Sequence, residues 1–286
     1  MPHIHDSKIQ ELEEKALKVR ELIIEMLVAA GSGHSAGPLD MADIFVALYF
    51  HILHHDPKNP DWEDRDRLIL SCGHICPVRY ATMALVGYFP LEELKTLRKF
   101  GSRLQGHPER LRLPGSETTS GPLGEGLAQA AGMAYAAHMD GKQWRTYCVM
   151  SDGEQQEGII WEAAMFAGKY RLSNLTAIID RNTIQIDGNT EEVMPVDSLK
   201  AKYEAFNWHV LEVGGHNMEQ FVDAVEEAKS ILEKPTVIIA HTIPGRGVSF
   251  MEKKFEWHGI PPNADQAAAA LKELRTLGGK ITSEHE

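Results

Sequence analysis

The chain has 286 residues, 43% hydrophobic and 24% charged, a balance that buries a large core and excludes a disordered chain. A formal charge of -12 without any local run of Lys and Arg speaks against a nucleic-acid partner. Three cysteines give no disulfide framework, and the most apolar early stretch, Leu22 to Ala30, contains Glu25 and is too short for a bilayer. The expected setting is therefore cytoplasmic, with no membrane contact. No linker-like segment interrupts the pattern, so residues 1–286 read as a single domain.

Ile9, Leu12, Ala16, Val19, Ile23, Met26 and Ala30 recur at steps of three and four, which predicts one helix ended by Gly31 and Gly33. After the loop to Gly37, Pro38 suits a first helical position, and the apolar run Met41 to Phe50 predicts a second helix. His51, His54 and His55 lead into a turn-rich segment and read as surface histidines. Cys72, His74 and Cys76 are close enough to suggest a metal site, but a fourth ligand is lacking, and Cys148 reads as a core residue.

Short apolar runs at Arg67 to Ser71, Tyr147 to Met150, Leu175 to Ile179 and Thr236 to His241 predict strands. Helical patterns lie between them at Glu125 to Met139 and Glu157 to Tyr170. Strands alternating with helices imply parallel pairing and crossover connections, hence an α/β doubly wound, mostly parallel sheet with helices on both faces. The acidic tail Ser283 to Glu286 is expected to fray.

Ser151-Asp152-Gly153-Glu154 follows a predicted strand and precedes a predicted helix, and Asp180-Arg181-Asn182 ends the next strand. A right-handed crossover sets consecutive strand ends side by side, so Asp152 and Asn182 can face one ion. Carboxylate, amide and carbonyl oxygens, the last from Ile184, suit a hard cation such as magnesium or calcium. Gly153 lets an anion approach the amides at a helix start. The protein offers too few ligands to saturate an ion, which favours a diphosphate bridged by a metal. Taken alone, an Asp-Gly turn and a distant Asn are also what an ordinary strand end looks like.

This pattern resembles the thiamine-diphosphate motif, Gly-Asp-Gly followed by about thirty residues and Asn, with Ser151 in place of the first Gly. Further stretches resemble transketolases in order along nearly the whole chain: Ser32-Gly33-His34, Asp66 to Ser71 with Gly73-His74, and Gly106-His107-Pro108-Glu109. They continue with Ser120 to Gly126, Gly245 to Glu252 and Trp257-His258-Gly259. The resemblance implies that His34, His74 and His258 line the thiazolium and diphosphate region, and that His107 reaches the first hydroxyl of the donor ketose. Imidazoles suit the proton transfers that ketol cleavage and transfer need near neutral pH. It further implies that Gly121, Pro122 and Leu123 hold the aminopyrimidine, that Gly153, Glu154 and Asn182 contact the cofactor, and that Asp152, Asn182 and Ile184 bind the metal. Glu157 and Glu162 would join a carboxylate network across a subunit interface.

In this family the glutamate that activates the pyrimidine lies on a second domain, followed by a C-terminal domain, and the chain stops before either. The resemblance therefore implies a separate C-terminal transketolase subunit carrying both, most simply in an α2β2 assembly acting on sugar phosphates. Two other readings stay open from the sequence. One is a different thiamine-diphosphate subunit, like the 1-deoxyxylulose-phosphate synthases or the 2-oxo-acid dehydrogenase α chains; the other is a noncatalytic nucleotide-binding module on the same scaffold.

Overall fold

The computed structural model describes residues 4–276; the acidic tail lies outside the described residues. Five strands, β1 (Arg67–Leu70), β2 (Thr146–Ser151), β3 (Leu175–Arg181), β4 (His209–Gly214) and β5 (Thr236–His241), form one sheet in the order β1-β2-β3-β5-β4. Every neighbouring pair in it is parallel. Successive strand side chains point to opposite faces, and the core divides accordingly. Leu68, Leu70, Tyr147, Val149 and Ile178 pack with the helices Asp6–Ala30, Ala42–Ala47, Cys76–Val86 and Met218–Ser230. Ile69, Cys148, Met150, Ala177 and Ile179 pack on the other face with Glu125–Met139 and Gly158–Lys169. The doubly wound arrangement follows, since strands buried on both faces read as continuous apolar runs.

Four predicted strands are present, and Thr236–His241 has the predicted limits. The sequence reading lacked β4, an edge strand whose residues are all half-buried or exposed, so its apolar signal is diluted by His209 and Glu212. It also lacked the helices Cys76–Val86, Met218–Ser230 and Ala264–Thr276. The single helix expected from Met41 to Phe50 is instead Ala36–Asp40, then Ala42–Ala47, then a wider π turn over Leu48–Ile52. Pro38 sits inside the first turn, where its missing N–H leaves no helical hydrogen bond broken.

A buried ion pair fixes this broken segment against the long first helix. The Arg20 guanidinium grips both Asp43 carboxylate oxygens at 3.0 and 2.6 Å, and His216 Nδ1 lies 2.8 Å from Asp43 Oδ2. The Ile243 N–H donates to His216 Nε2, which assigns the ring proton to Nδ1. Asp43 is held well below the usual carboxylate range, because Arg20 and the His216 hydrogen bond outweigh its burial.

Candidate active site

Strand register builds the site. Ser151 pairs with Asp180, and Asp180 in turn with Ala240, so the segments leaving β2, β3 and β5 emerge together at the carboxyl end of the sheet. Ligand sites of doubly wound sheets form at such ends. Asp152, 0% exposed, accepts the Gly153 N–H at 2.6 Å on Oδ1 and the Thr183 N–H at 2.8 Å on Oδ2. Arg181 Nη1 also lies 2.9 Å from Oδ2, and the same guanidinium reaches on to Glu191 and Asp197. Burial pushes the Asp152 carboxyl up while Arg181 pulls it down. Asn182 stands beside it, its amide nitrogen donating to Asp40 and Asp180 and its oxygen accepting the Ile184 N–H at 3.1 Å. Ile184 is buried at the start of a two-residue ribbon strand paired with Gly188–Asn189. The structure thus brings the three expected metal-binding residues together where the segments leaving β2 and β3 meet.

One expectation is corrected here. Gly153 does not open an α-helix: Gly153–Gln156 is a single 3-10 turn, Glu157 is extended, and the helix starts at Gly158. The Gly153 N–H is also already donated to Asp152. What survives is open space, since a Cβ at Gly153 would meet only the Gln185 side chain, at 3.5 Å.

Three histidines from distant segments converge, and a Cβ on Gly259 would fall 3.6 Å from His34 Nε2 and 4.0 Å from Ile186 Cδ1, two residues beyond Ile184. The His34 and His74 rings lie 4.8 Å apart, His34 and His258 5.4 Å, and His74 and His258 5.3 Å. His107 is exposed beside them, its ring edge 3.1 Å from where a Gly73 Cβ would be. Such a Cβ would also fall 2.2 Å from Ser120 Oγ, so only glycine lets these loops close together. Burial, reinforced by His258, Arg98 and His107, lowers His34 to about 4. His74 is lowered well below the usual histidine range by burial and its histidine neighbours, His258 by burial, and His107 by burial and Arg98. All four rings are therefore neutral at pH 7, able to donate on one nitrogen and accept on the other.

The loop from Ser120 to Gly126 joins the two sides. Pro122 and Leu123 are exposed, and nothing lies within 4 Å of a Cβ placed on Gly121. Glu154, 0% exposed, anchors this loop: Oε1 accepts the Gly124 N–H at 2.6 Å and the Ser71 hydroxyl, and Oε2 accepts the Ser151 N–H at 3.0 Å. Burial pushes its carboxyl up to about 6 against these bonds. Both Glu154 oxygens are thus engaged by its own chain and brace the loop, which leaves its backbone for the expected cofactor contact. Glu157 and Glu162 are exposed, as an interface role requires. Cys72, Cys76 and Cys148 are buried and free, and no metal-binding group of three His, Cys, Asp or Glu residues occurs among the described residues. Cys72 and Cys76 instead point to backbone carbonyls of Val149 and Gly106.

These residues suit a metal-bridged diphosphate. His34 Nδ1, Ser120 Oγ and Asp40 Oδ1 are buried here without a partner, although such atoms normally find one. The donors in the turn are oxygens, the choice of a hard cation. Sequence reasoning missed Asp40, Asp180 and Arg181 as parts of the site. Asp40 could have been noticed as an acidic residue inside an apolar helical run.

The family model for transketolase, thiamine diphosphate binding domain, matches residues 12–279. A 6-deoxy-6-sulfo-D-fructose transketolase subunit, SqwG of Clostridium sp. (strain MSTE9), is 44% identical over 94% of this chain and 98% of its own length. An apulose-4-phosphate transketolase subunit from Phocaeicola vulgatus is 41% identical over 97% of this chain and 99% of its own. The solved transketolase of Campylobacter jejuni superposes with a TM-score of 0.88 at 37% identity, covering 93% of this chain but 43% of that one. Chain-long matches to transketolases leave the other thiamine-diphosphate subunits and the nucleotide module without support. With motif, fold and relatives in agreement, the chain belongs to the transketolase family, whose thiamine diphosphate binding domain it carries.

Proposed function

We infer that the chain is the diphosphate-binding subunit of a two-component transketolase, moving a two-carbon ketol unit from a ketose phosphate to an aldose phosphate. The observations that support this reading are the convergence of His34, His74 and His258 and the meeting of Asp152 with the Asn182 segment at the carboxyl end of the sheet. When bound, thiamine diphosphate supplies the nucleophilic carbon that carries the two-carbon unit. Asp152, Asn182 and the Ile184 carbonyl bind magnesium or calcium, and Gly153 leaves room for the diphosphate. Gly121, Pro122 and Leu123 receive the aminopyrimidine. His34, His74 and His258 line the thiazolium side as neutral rings, and His107, at the mouth, takes the proton of the donor hydroxyl.

The pyrimidine-activating glutamate and the sugar-phosphate grips belong to a separate C-terminal subunit, in a cytoplasmic assembly of two copies of each chain. Support comes from relatives named as subunits and matched along nearly their whole length. Those relatives are named for different sugars, a sulfonated ketose and apulose 4-phosphate, so family membership alone does not select the donor. Glu157 and Glu162 face that interface, and the pentose phosphates are the first substrates to try. Thermal melting tests the cofactor assignment: thiamine diphosphate with magnesium should raise the melting temperature of this chain while ATP with magnesium leaves it unmoved. A shift with ATP alone would overturn it.

A further inference from the structure

Asn182 is held from behind by two carboxylates that the proposed chemistry does not use. Its Nδ2 donates to Asp40 Oδ2 at 3.0 Å and to Asp180 Oδ2 at 2.8 Å, while its Oδ1 accepts the Ile184 N–H. Thr242 Oγ1 donates to the remaining oxygen of Asp180. Asp40 is 0% exposed and Asp180 1%, so no water competes for these contacts. The Ile184 N–H and the two carboxyls favour one orientation of the amide. Turned over, its NH2 group would meet the Ile184 N–H, donor against donor, and its oxygen could bond only to a carboxyl that carries a proton. Asp40 comes from a helix distant in sequence, directly after the His34 loop, and so ties that loop to the turn. The same turn sends the Thr183 N–H to Asp152, so fixing Asn182 also fixes the second expected ligand.

We propose that Asp40 and Asp180 are positioning residues that hold the Asn182 amide with its oxygen on the ion-binding side of the turn. This rests on Asn182 being an ion ligand. Partners that orient a metal ligand are worth roughly 10- to 100-fold in metal affinity. The acceptor oxygen matters, so a neutral side chain that keeps it should suffice.

The test titrates magnesium into the full chain with thiamine diphosphate saturating, by calorimetry, for the parent, Asp40→Leu, Asp40→Asn, Asp180→Leu and Asp180→Asn. The two Leu variants should lose about tenfold or more in magnesium affinity, and the two Asn variants should stay within about threefold of the parent. Metal-free melting temperatures, measured alongside, identify any variant that has lost its fold, and the Asn variants, closest in shape, keep the test alive if a Leu variant unfolds. Parental affinity in the folded Leu variants overturns the inference. So does a loss in the Asn variants equal to that in the Leu variants, because charge and not amide orientation would then be responsible. Asn182→Ala separates the two levels: if it binds magnesium like the parent, the reading of the site fails; if it alone is weakened, only the inference fails.

Discussion

The two sides of the cleft meet opposite requirements with opposite means. On the histidine side, His34 Nδ1 and the nearby Ser120 Oγ are buried with no partner in the chain, and the rings are neutral because burial and one another's proximity disfavour the charged form. On the carboxylate side, Asp152 and Asn182 are each held by several hydrogen bonds from their own chain. An unpaired buried polar group costs about 1–3 kcal/mol, a cost that a ligand can offset on binding. The histidine side thus leaves hydrogen-bonding capacity for a ligand, whereas the carboxylate side is organised before anything arrives.

The largest expected effect sharpens that contrast. Asp152→Ala and Asn182→Ala should each abolish metal-dependent binding of thiamine diphosphate, read by titration calorimetry, while circular dichroism shows the fold retained. Unchanged affinity in either variant would remove the metal assignment. His107→Ala, on the other side, should lower turnover of the reconstituted enzyme by about 100-fold or more with cofactor affinity little changed, because an exposed ring at the mouth meets the sugar. Equal losses in kcat and cofactor affinity would move His107 into the cofactor shell.

Between the two sides, the packing of the joining loop is open to a stability measurement. A Cβ on Gly126 would lie 2.3 Å from Ser71 Cβ and 2.6 Å from its Cα, so Gly126→Ala should destabilise the chain by about 1–3 kcal/mol in urea unfolding. A neutral result would mean that the loop is looser than the Glu154 brace implies. The smallest effect is acid-sensitive. His34 is lowered to about 4, against roughly 6.5 in an unfolded chain. Between these values the unfolded state takes up a proton that the folded state refuses, so stability is complete above the unfolded value and declines as pH falls through about 4. The His34 ring proton followed by NMR should titrate near the lower value, and a midpoint at the unfolded value would break the contrast between the two sides.

The histidine side was the more legible from sequence. His34, His74, His107 and His258 each sit in a short motif beside glycine, and it is the resemblance of these motifs to transketolases that marks them. The carboxylate side was legible only where the chain doubles back after a strand, at Asp152 and Asn182. Asp40 and Asp180 were not singled out because their role depends on a contact between segments 142 residues apart, as Asp40 and Asn182 are. The inward turn of the Glu154 side chain to Ser71 and Gly124 was not legible for a related reason, since only the folded sheet brings those residues to it. In the fold, strands buried on both faces announced themselves as apolar runs, and edge strand β4 did not.

The central claim, that this chain supplies one half of a shared active site, is tested most directly by reconstitution. The chain and its C-terminal transketolase partner are assayed separately and mixed, with thiamine diphosphate, magnesium, xylulose 5-phosphate and ribose 5-phosphate. Sedoheptulose 7-phosphate should form only in the mixture, and the mass in solution should rise to that of two plus two chains. Robust ketol transfer by this chain alone, with cofactor present, would contradict the account.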